Sequence, residues 1–271
     1  MDHGLYTTYL GMRARQRALD VIANNIANAS TPGFKANRML YRSVEAAEME
    51  TYKAQDKEHL VSLVVPGRQG DHVTDPTLAS AHGRRIGVVA ATMADHSFGM
   101  IRHTGRTLDV ALEGDGFLVV QTARGERYTR AGALKLNADS QLVTQQGDLV
   151  VGEEGPITVP QGEVLISENG DLSVDGTLAG RLKLVRFDNL KDALFKEGES
   201  LFDATGAQGR PPSRATSTRV VQNALEMSNV DTITEMAAMI QNSREFDSLQ
   251  RSVTMLMNDL GRKVASEIGR I

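Results

Sequence analysis

Apolar residues near the start of the chain fall at alternating spacings of four and three: Leu5, Tyr9, Met12, Leu19, Ala23 and Ile26, with Gln16 the only break. That spacing draws one apolar seam along a helix, and such a seam predicts a partner helix. Asn24, Asn25 and Asn28 crowd the end with amides that compete for backbone partners, and Ser30-Thr31-Pro32-Gly33 stops the helix. The expected length is roughly 36 Å for about 24 residues.

The matching pattern lies at the other end of the chain. Met236, Met239, Ser243, Phe246, Gln250, Val253, Met257, Leu260 and Val264 alternate spacings of three and four, polar only at Ser243 and Gln250. Ser228-Asn229-Val230-Asp231 supplies cap residues, Glu235 suits the first turn, and the helix is expected to run roughly 48 Å. A second stripe, Ile233, Ile240, Leu249 and Leu256, flanks the first. This helix therefore carries more apolar surface than one partner covers, which predicts several helical neighbours, some from other chains.

Between the ends the period changes to two. Leu108 to Leu112 alternates, Gly114-Asp115-Gly116 turns, and Phe117-Leu118-Val119-Val120 reads as a buried strand. Ala133–Leu136 and Gln141–Thr144 flank a turn at 137–140; Val164–Ser167 and Asp171–Val174 flank another at 168–170; a further strand spans Arg181–Phe187. The fold class is α+β: long terminal helices paired as a coiled-coil-like unit, with an inserted antiparallel β domain. The expected divisions are a helical domain from 1–35 and 228–271, an extended connector from 36–99 and 199–227, and a β domain from 100–198. Arg38 to Leu63 is charged and only weakly periodic, so a helix there is possible, and Pro66 to Arg85 reads as a polar connector. Residues 38–85 are expected to gain order from neighbours.

Composition narrows the function. The chain has 271 residues, 41% of them hydrophobic, only 4% aromatic, no Trp and no Cys, and a net charge of -4. Disulfides and thiolate chemistry are excluded, and neither a base-stacking surface nor a basic field for nucleic acid is present. No segment reaches membrane-spanning length, and Met1-Asp2-His3-Gly4 lacks the basic and apolar runs of a cleavable signal peptide. The histidines at 3, 59, 72, 82, 96 and 103 are scattered, without a metal-ligand spacing. Gly114-Asp115-Gly116 has no Lys-Ser or Lys-Thr after it and is a turn rather than a phosphate loop. No catalytic residue, cofactor or metal is assigned. Arg124, Arg127 and Arg130 read as a solvated sheet face, with contact to peptidoglycan or a ring protein as the sharper reading.

Three separate motifs carry a resemblance. They are Asp20-Val-Ile-Ala-Asn24-Asn25-Ile-Ala-Asn28-Ala-Ser-Thr-Pro32-Gly33-Phe34-Lys35; Leu108-Asp109-Val-Ala-Leu-Glu-Gly114-Asp-Gly116-Phe117 with Tyr128-Thr-Arg-Ala-Gly132; and Leu225-Glu-Met-Ser228-Asn229-Val-Asp231. In this order they resemble the axial proteins of the bacterial flagellum, the basal-body rod and hook family, over nearly the whole chain. Met1–Tyr6, Gly155–Pro160 and Gly180–Val185 look most like the proximal-rod members, with distal-rod members second. The resemblance implies a self-assembling rod subunit in the periplasmic part of the basal body, transmitting torque for motility. Its implied partners are other rod and hook subunits and the type III export apparatus. It also implies that the paired terminal helices line an inner tube, through Leu5, Tyr9, Met12, Leu19, Ala23 and Ile26 on one helix. On the other they are Met236, Met239, Ile240, Phe246, Leu249, Val253, Leu256, Met257 and Leu260. The alternatives are a distal-rod or hook subunit of the same family, or a secreted β-domain cell-wall-binding module with helical oligomerisation ends.

Overall fold

The computed structural model describes residues 2–45, 86–204 and 212–268. The chain divides into two compact units, one from 1–24, 38–93 and 233–271, the other from 25–37 and 94–232. The stretch 46–85, most of the segment expected to gain order from neighbours, lies outside the described residues.

The first unit is built on α1 (Asp2–Ala27) and α3 (Thr232–Ile268), of 26 and 37 residues. At 1.5 Å per residue these span about 39 and 56 Å. A Cβ on Gly11 would lie 3.7 Å from Leu249 Cδ1, and Arg15 reaches Asn242 Oδ1 at 3.1 Å and Glu245 Oε2 at 2.7 Å. Because higher α1 numbers meet lower α3 numbers, the helices are antiparallel. The closed face of α1 carries Ala14, Ala18 and Ile22, spaced by four. The same unit holds most of β1 (Asn37–Glu45) and β2 (Ile86–Ala94), which pair in a two-stranded sheet. A helix through the start of the 38–63 segment is thus replaced by a strand over its described part. Its pairing partner is some fifty residues away, so local periodicity carries no sign of it.

The second unit is antiparallel throughout. After β3 (Ile101–His103) and β4 (Val110–Glu113) come β5 (Phe117–Thr122), β6 (Gly125–Thr129), β7 (Leu134–Leu136), β8 (Leu142–Thr144), β9 (Leu149–Gly152) and β10 (Gly155–Pro156). A three-stranded sheet follows in the order β11 (Val164–Ile166), β12 (Asp171–Val174), β13 (Thr177–Arg181). Beyond β14 (Leu184–Arg186) and the one-turn α2 (Leu190–Ala193) lie β15 (Phe195–Glu197), β16 (Leu201–Asp203), β17 (Ser213–Arg214), β18 (Arg219–Gln222) and β19 (Ala224–Glu226). The largest sheet runs β15-β16-β6-β5-β9-β8-β7, with β14 also on β5. Residues 199–227, expected as a connector, contribute strands: β16 pairs with β6, β18 with β4 and β19 with β3.

Strand β5 explains its own uninterrupted apolar run. Leu118 and Val120 enter an aliphatic core with Leu142, Val150, Leu172 and Leu182, while Phe117 and Val119 enter a second core with Tyr128, Phe187 and Phe202. Alternate side chains point to opposite faces, so burial on both requires every position to be apolar.

Candidate functional site: a buried charge cluster joining three segments

Where α1 ends, the chain is held by specific polar contacts. Asn25 acts like a short piece of strand: its amide donates to the Asn37 carbonyl at 2.9 Å and accepts from the Asn37 N–H at 2.8 Å. Asn28 accepts the Thr31 hydroxyl at 3.1 Å, whereas Asn24 is exposed and Pro32 half-buried. Gly33 has φ +69°, and a Cβ there would stand 2.4 Å from the backbone nitrogen of Ala131, so only glycine fits. Its N–H donates to the Glu226 carbonyl at 2.8 Å. This delivers Phe34 and Lys35 into the interior, both with no exposed surface.

Lys35 meets its counter-charge from the far end of the chain. Its ammonium donates to Glu226 Oε1 at 2.6 Å and to the Ser97 carbonyl at 2.7 Å. The other oxygen of Glu226 accepts from Arg130 Nη1 at 3.0 Å, and Oε1 also accepts the Gly99 N–H at 2.9 Å. Arg130 donates further to the Gly114 carbonyl and lies between the rings of Phe98 and Phe117, 5.0 and 5.1 Å from their centroids. Lys35, Arg130 and Glu226 are all buried. One carboxylate thus bridges two cations in a site closed to water.

The electrostatics follow. Burial opposes the Glu226 charge, but Arg130 and Lys35, with the hydrogen bonds from Lys35 and Gly99, outweigh it and hold the carboxyl below its usual range. Burial lowers the Lys35 ammonium, with Glu226 opposing that shift. His96, packed on Phe117 and Phe202, is pushed down to about 4 by burial and by the positive Lys35 and Arg130, so it is neutral. Lys196 of β15 sits 3.3 Å over the Phe34 ring and donates to the Lys35 carbonyl at 2.6 Å; burial lowers it to about 7.

Other motif residues brace the cluster. Asn229 accepts the Ala36 N–H at 2.7 Å and donates to the Asp95 carbonyl at 2.8 Å, and Ser228 accepts the Val230 N–H at 3.2 Å. Buried Asp109 takes the Thr104 hydroxyl at 2.7 Å and a fork of two Arg106 donors at 2.9 and 2.7 Å. Gly114 and Gly116 leave room for Thr218, and Phe117 makes edge contacts with Phe187 and Phe202.

The helical positions fall differently. On α1, Met12, Leu19 and Ile26 are half-buried and Ala23 is exposed, while the side chains of Leu5 and Tyr9, like that of Leu260, lie outside those described. On α3, Met239, Phe246, Leu249 and Val253 are half-buried; Met236, Ile240, Leu256 and Met257 are exposed, as are Ser243 and Gln250. The arginine cluster requires a correction. Arg130 is interior, and Arg124 and Arg127 both pair with Glu197, so the three form no shared cationic face. Arg127 lies within β6, whereas Arg130 follows its end and turns into the interior beside Glu226.

Sequence reasoning quoted Lys35, Arg130 and Glu226 inside motifs without giving them a common role. The available signal was a single charge set among apolar and small neighbours in each motif, Phe34-Lys35-Ala36, Arg130-Ala131-Gly132 and Leu225-Glu226-Met227. Among the described residues no group of His, Asp and Glu is arranged to hold a metal ion, and no helix is long and apolar enough to cross a membrane.

Comparison with known proteins divides along the same three segments. Residues 5–35 match the family described as flagella basal body rod protein, 111–174 the flagellar hook protein FlgE/F/G D1 domain, and 221–258 the flagellar basal body rod FlgEFG protein C-terminal region. Each match contains one member of the charge cluster. The chain is 30% identical to the flagellar basal-body rod protein FlgF of Caulobacter vibrioides over all of both chains. It is 35% identical to FlgF of Escherichia coli, covering 97% of each, and 32% identical to FlgG of Bacillus subtilis, covering 94% of this chain and 95% of that one.

Proposed function

We propose that this chain, which belongs to the family of flagellar basal-body rod proteins, builds the rod by burying the open faces of its terminal helices against helices of other subunits. It is a structural subunit of the basal-body rod. The observation that carries the assembly mode is the apolar stripe on α3: Ile233, Met236 and Ile240, spaced by three and four, are 82%, 50% and 57% exposed within the single chain. Fully burying one such side chain is worth about 1.5–3 kcal/mol. A few of them per subunit, repeated along the assembly, give a shaft that resists shear and so transmits torque. The coiled-coil arrangement of α1 and α3 belongs to the same proposal, supported by their antiparallel contact and by half-buried Met239, Phe246, Leu249 and Val253. So does export through the flagellar type III apparatus. A proximal position in the rod is the finer proposal, and relatives of both the FlgF and FlgG names keep the distal position as its competitor.

Deleting residues 1–30 tests the reading. Incorporation into basal bodies and motility should both be lost. A chain lacking these residues that still enters basal bodies would overturn it.

A further inference from the structure

Away from the charge cluster, the second unit holds a cleft of about 240 Å³ lined by Glu153, Asn169, Arg181, Arg214 and Thr218, with Leu182, Leu184 and Ala215 along its apolar side. Its volume is below the range of pockets that enclose drug-sized molecules, so it takes one ring rather than a chain of them. Glu153 bridges two guanidinium groups, 2.6 Å from Arg214 Nη2 and 3.9 Å from Arg181 Nη1, and Arg181 is also bound by Asp171. Two cations face two carboxylates, so the cleft is near neutral and offers no net field for a free anion. Yet each guanidinium has five N–H donors, and a carboxylate accepts at both oxygens. Arg181 and Arg214 therefore keep donors to spare beside the acceptor Glu153, and the Asn169 amide adds both kinds of group.

We propose that this cleft binds one ring of a neutral polyhydroxylated ligand, a sugar unit. A hydroxyl both donates and accepts, so adjacent hydroxyls are matched by a carboxylate set against a guanidinium, above a floor formed by the buried Leu182, Leu184 and Ala215. The site stands on strands: Arg181 ends β13, Leu184 opens β14 and Arg214 closes β17. Its ion pairs hold the polar groups in place before a ligand arrives, which reduces the ordering cost of binding.

The experiment is a titration of the full ¹⁵N-labelled chain with the trisaccharide of N-acetylglucosamine, with maltotriose and with trigalacturonate, followed by amide chemical shifts. The expected result is saturable shifts at residues 153, 169, 181–184 and 214–218 with a neutral sugar. Arg214→Ala, at a largely exposed side chain, should weaken binding about tenfold, the loss of one hydrogen bond from a charged donor. Glu153→Gln leaves the site with an extra positive charge and should shift preference toward trigalacturonate. Binding of trigalacturonate alone by the unmodified chain would overturn the proposal. So would the absence of localised shifts, or shifts that Arg214→Ala leaves unchanged; either would reduce the cleft to a surface ion-pair network.

Discussion

The two units treat their difficult residues in opposite ways. The β unit buries a cluster of three charges and satisfies it internally: Glu226 accepts from Lys35, Arg130 and the Gly99 backbone, and no second molecule is needed to complete the set. The helical unit leaves Ile233, Met236, Ile240, Met255 and Met257 exposed, although each would be more stable out of water. The β unit also exposes Phe98, Met100, Leu165 and Leu178, but these are spread over the 98–100 loop and strands β11 and β13, whereas the α3 residues recur at helical spacing. A buried ionic cluster is complete within one chain, whereas the exposed α3 stripe is the surface proposed above to be covered by another subunit.

The largest effect that would break this contrast is at Glu226. Glu226→Ala leaves Lys35 and Arg130 buried without their counter-charge and should cost about 3–5 kcal/mol, read as a fall in the urea midpoint. The same carboxylate sets an acid limit. Its folded value lies below the unfolded value of about 4.3, so it contributes stability above that pH and loses it as pH falls through the lower folded value. Glu226→Gln should therefore flatten the decline in stability below about pH 4 relative to the wild type.

Gly33→Ala comes next. The added methyl meets the Ala131 backbone at a positive φ, and a loss of about 1–3 kcal/mol is expected from conformation alone, with the clash adding to it. Thermal unfolding measures it, and an unchanged midpoint would deny that the segment after α1 is locked.

Lys196 gives a smaller, pH-dependent effect. Burial lowers its amine to about 7 from the ordinary lysine value of 10.5, so between these the unfolded chain binds more protons. Stability should rise with pH across that window in the wild type, and the rise should be missing in Lys196→Met.

These predictions divide according to what the sequence could convey. Seam spacing located both helices, and alternation located the hairpins at 137–140 and 168–170, because each is a local pattern. The buried face of α1 was less legible: Ala14, Ala18 and Ile22 are closed, although larger residues such as Met12 and Leu19 drew the seam. Ala14 and Ala18 are small, and hydrophobic periodicity gives small side chains little weight. The charge cluster was illegible as a cluster because its members lie 95 and 96 residues apart, from Lys35 to Arg130 and from Arg130 to Glu226. Only the fold brings them together. Strands β18 and β19 were hidden for a related reason: their partners β4 and β3 lie about a hundred residues earlier, so nothing local marks them as paired.

At the small end, Arg15→Ala removes a half-exposed pair with Glu245 and should cost about 1 kcal/mol or less, and less still in high salt. The double change Met236→Ser with Ile240→Ser should alter the stability of the isolated chain by no more than about 0.5 kcal/mol. Yet it should abolish incorporation into the rod and motility. A large loss of stability instead would mean that the stripe is already covered within the chain.

The most direct measurement places a benzophenone photocrosslinking residue at Met236 or Ile240, with Asp139, on an exposed turn of the β unit, as the comparison, in assembled basal bodies. The account predicts adducts between different subunits from both helical positions, with their partners identified by mass spectrometry. Adducts confined to the same chain, or none from either helical position, would contradict it.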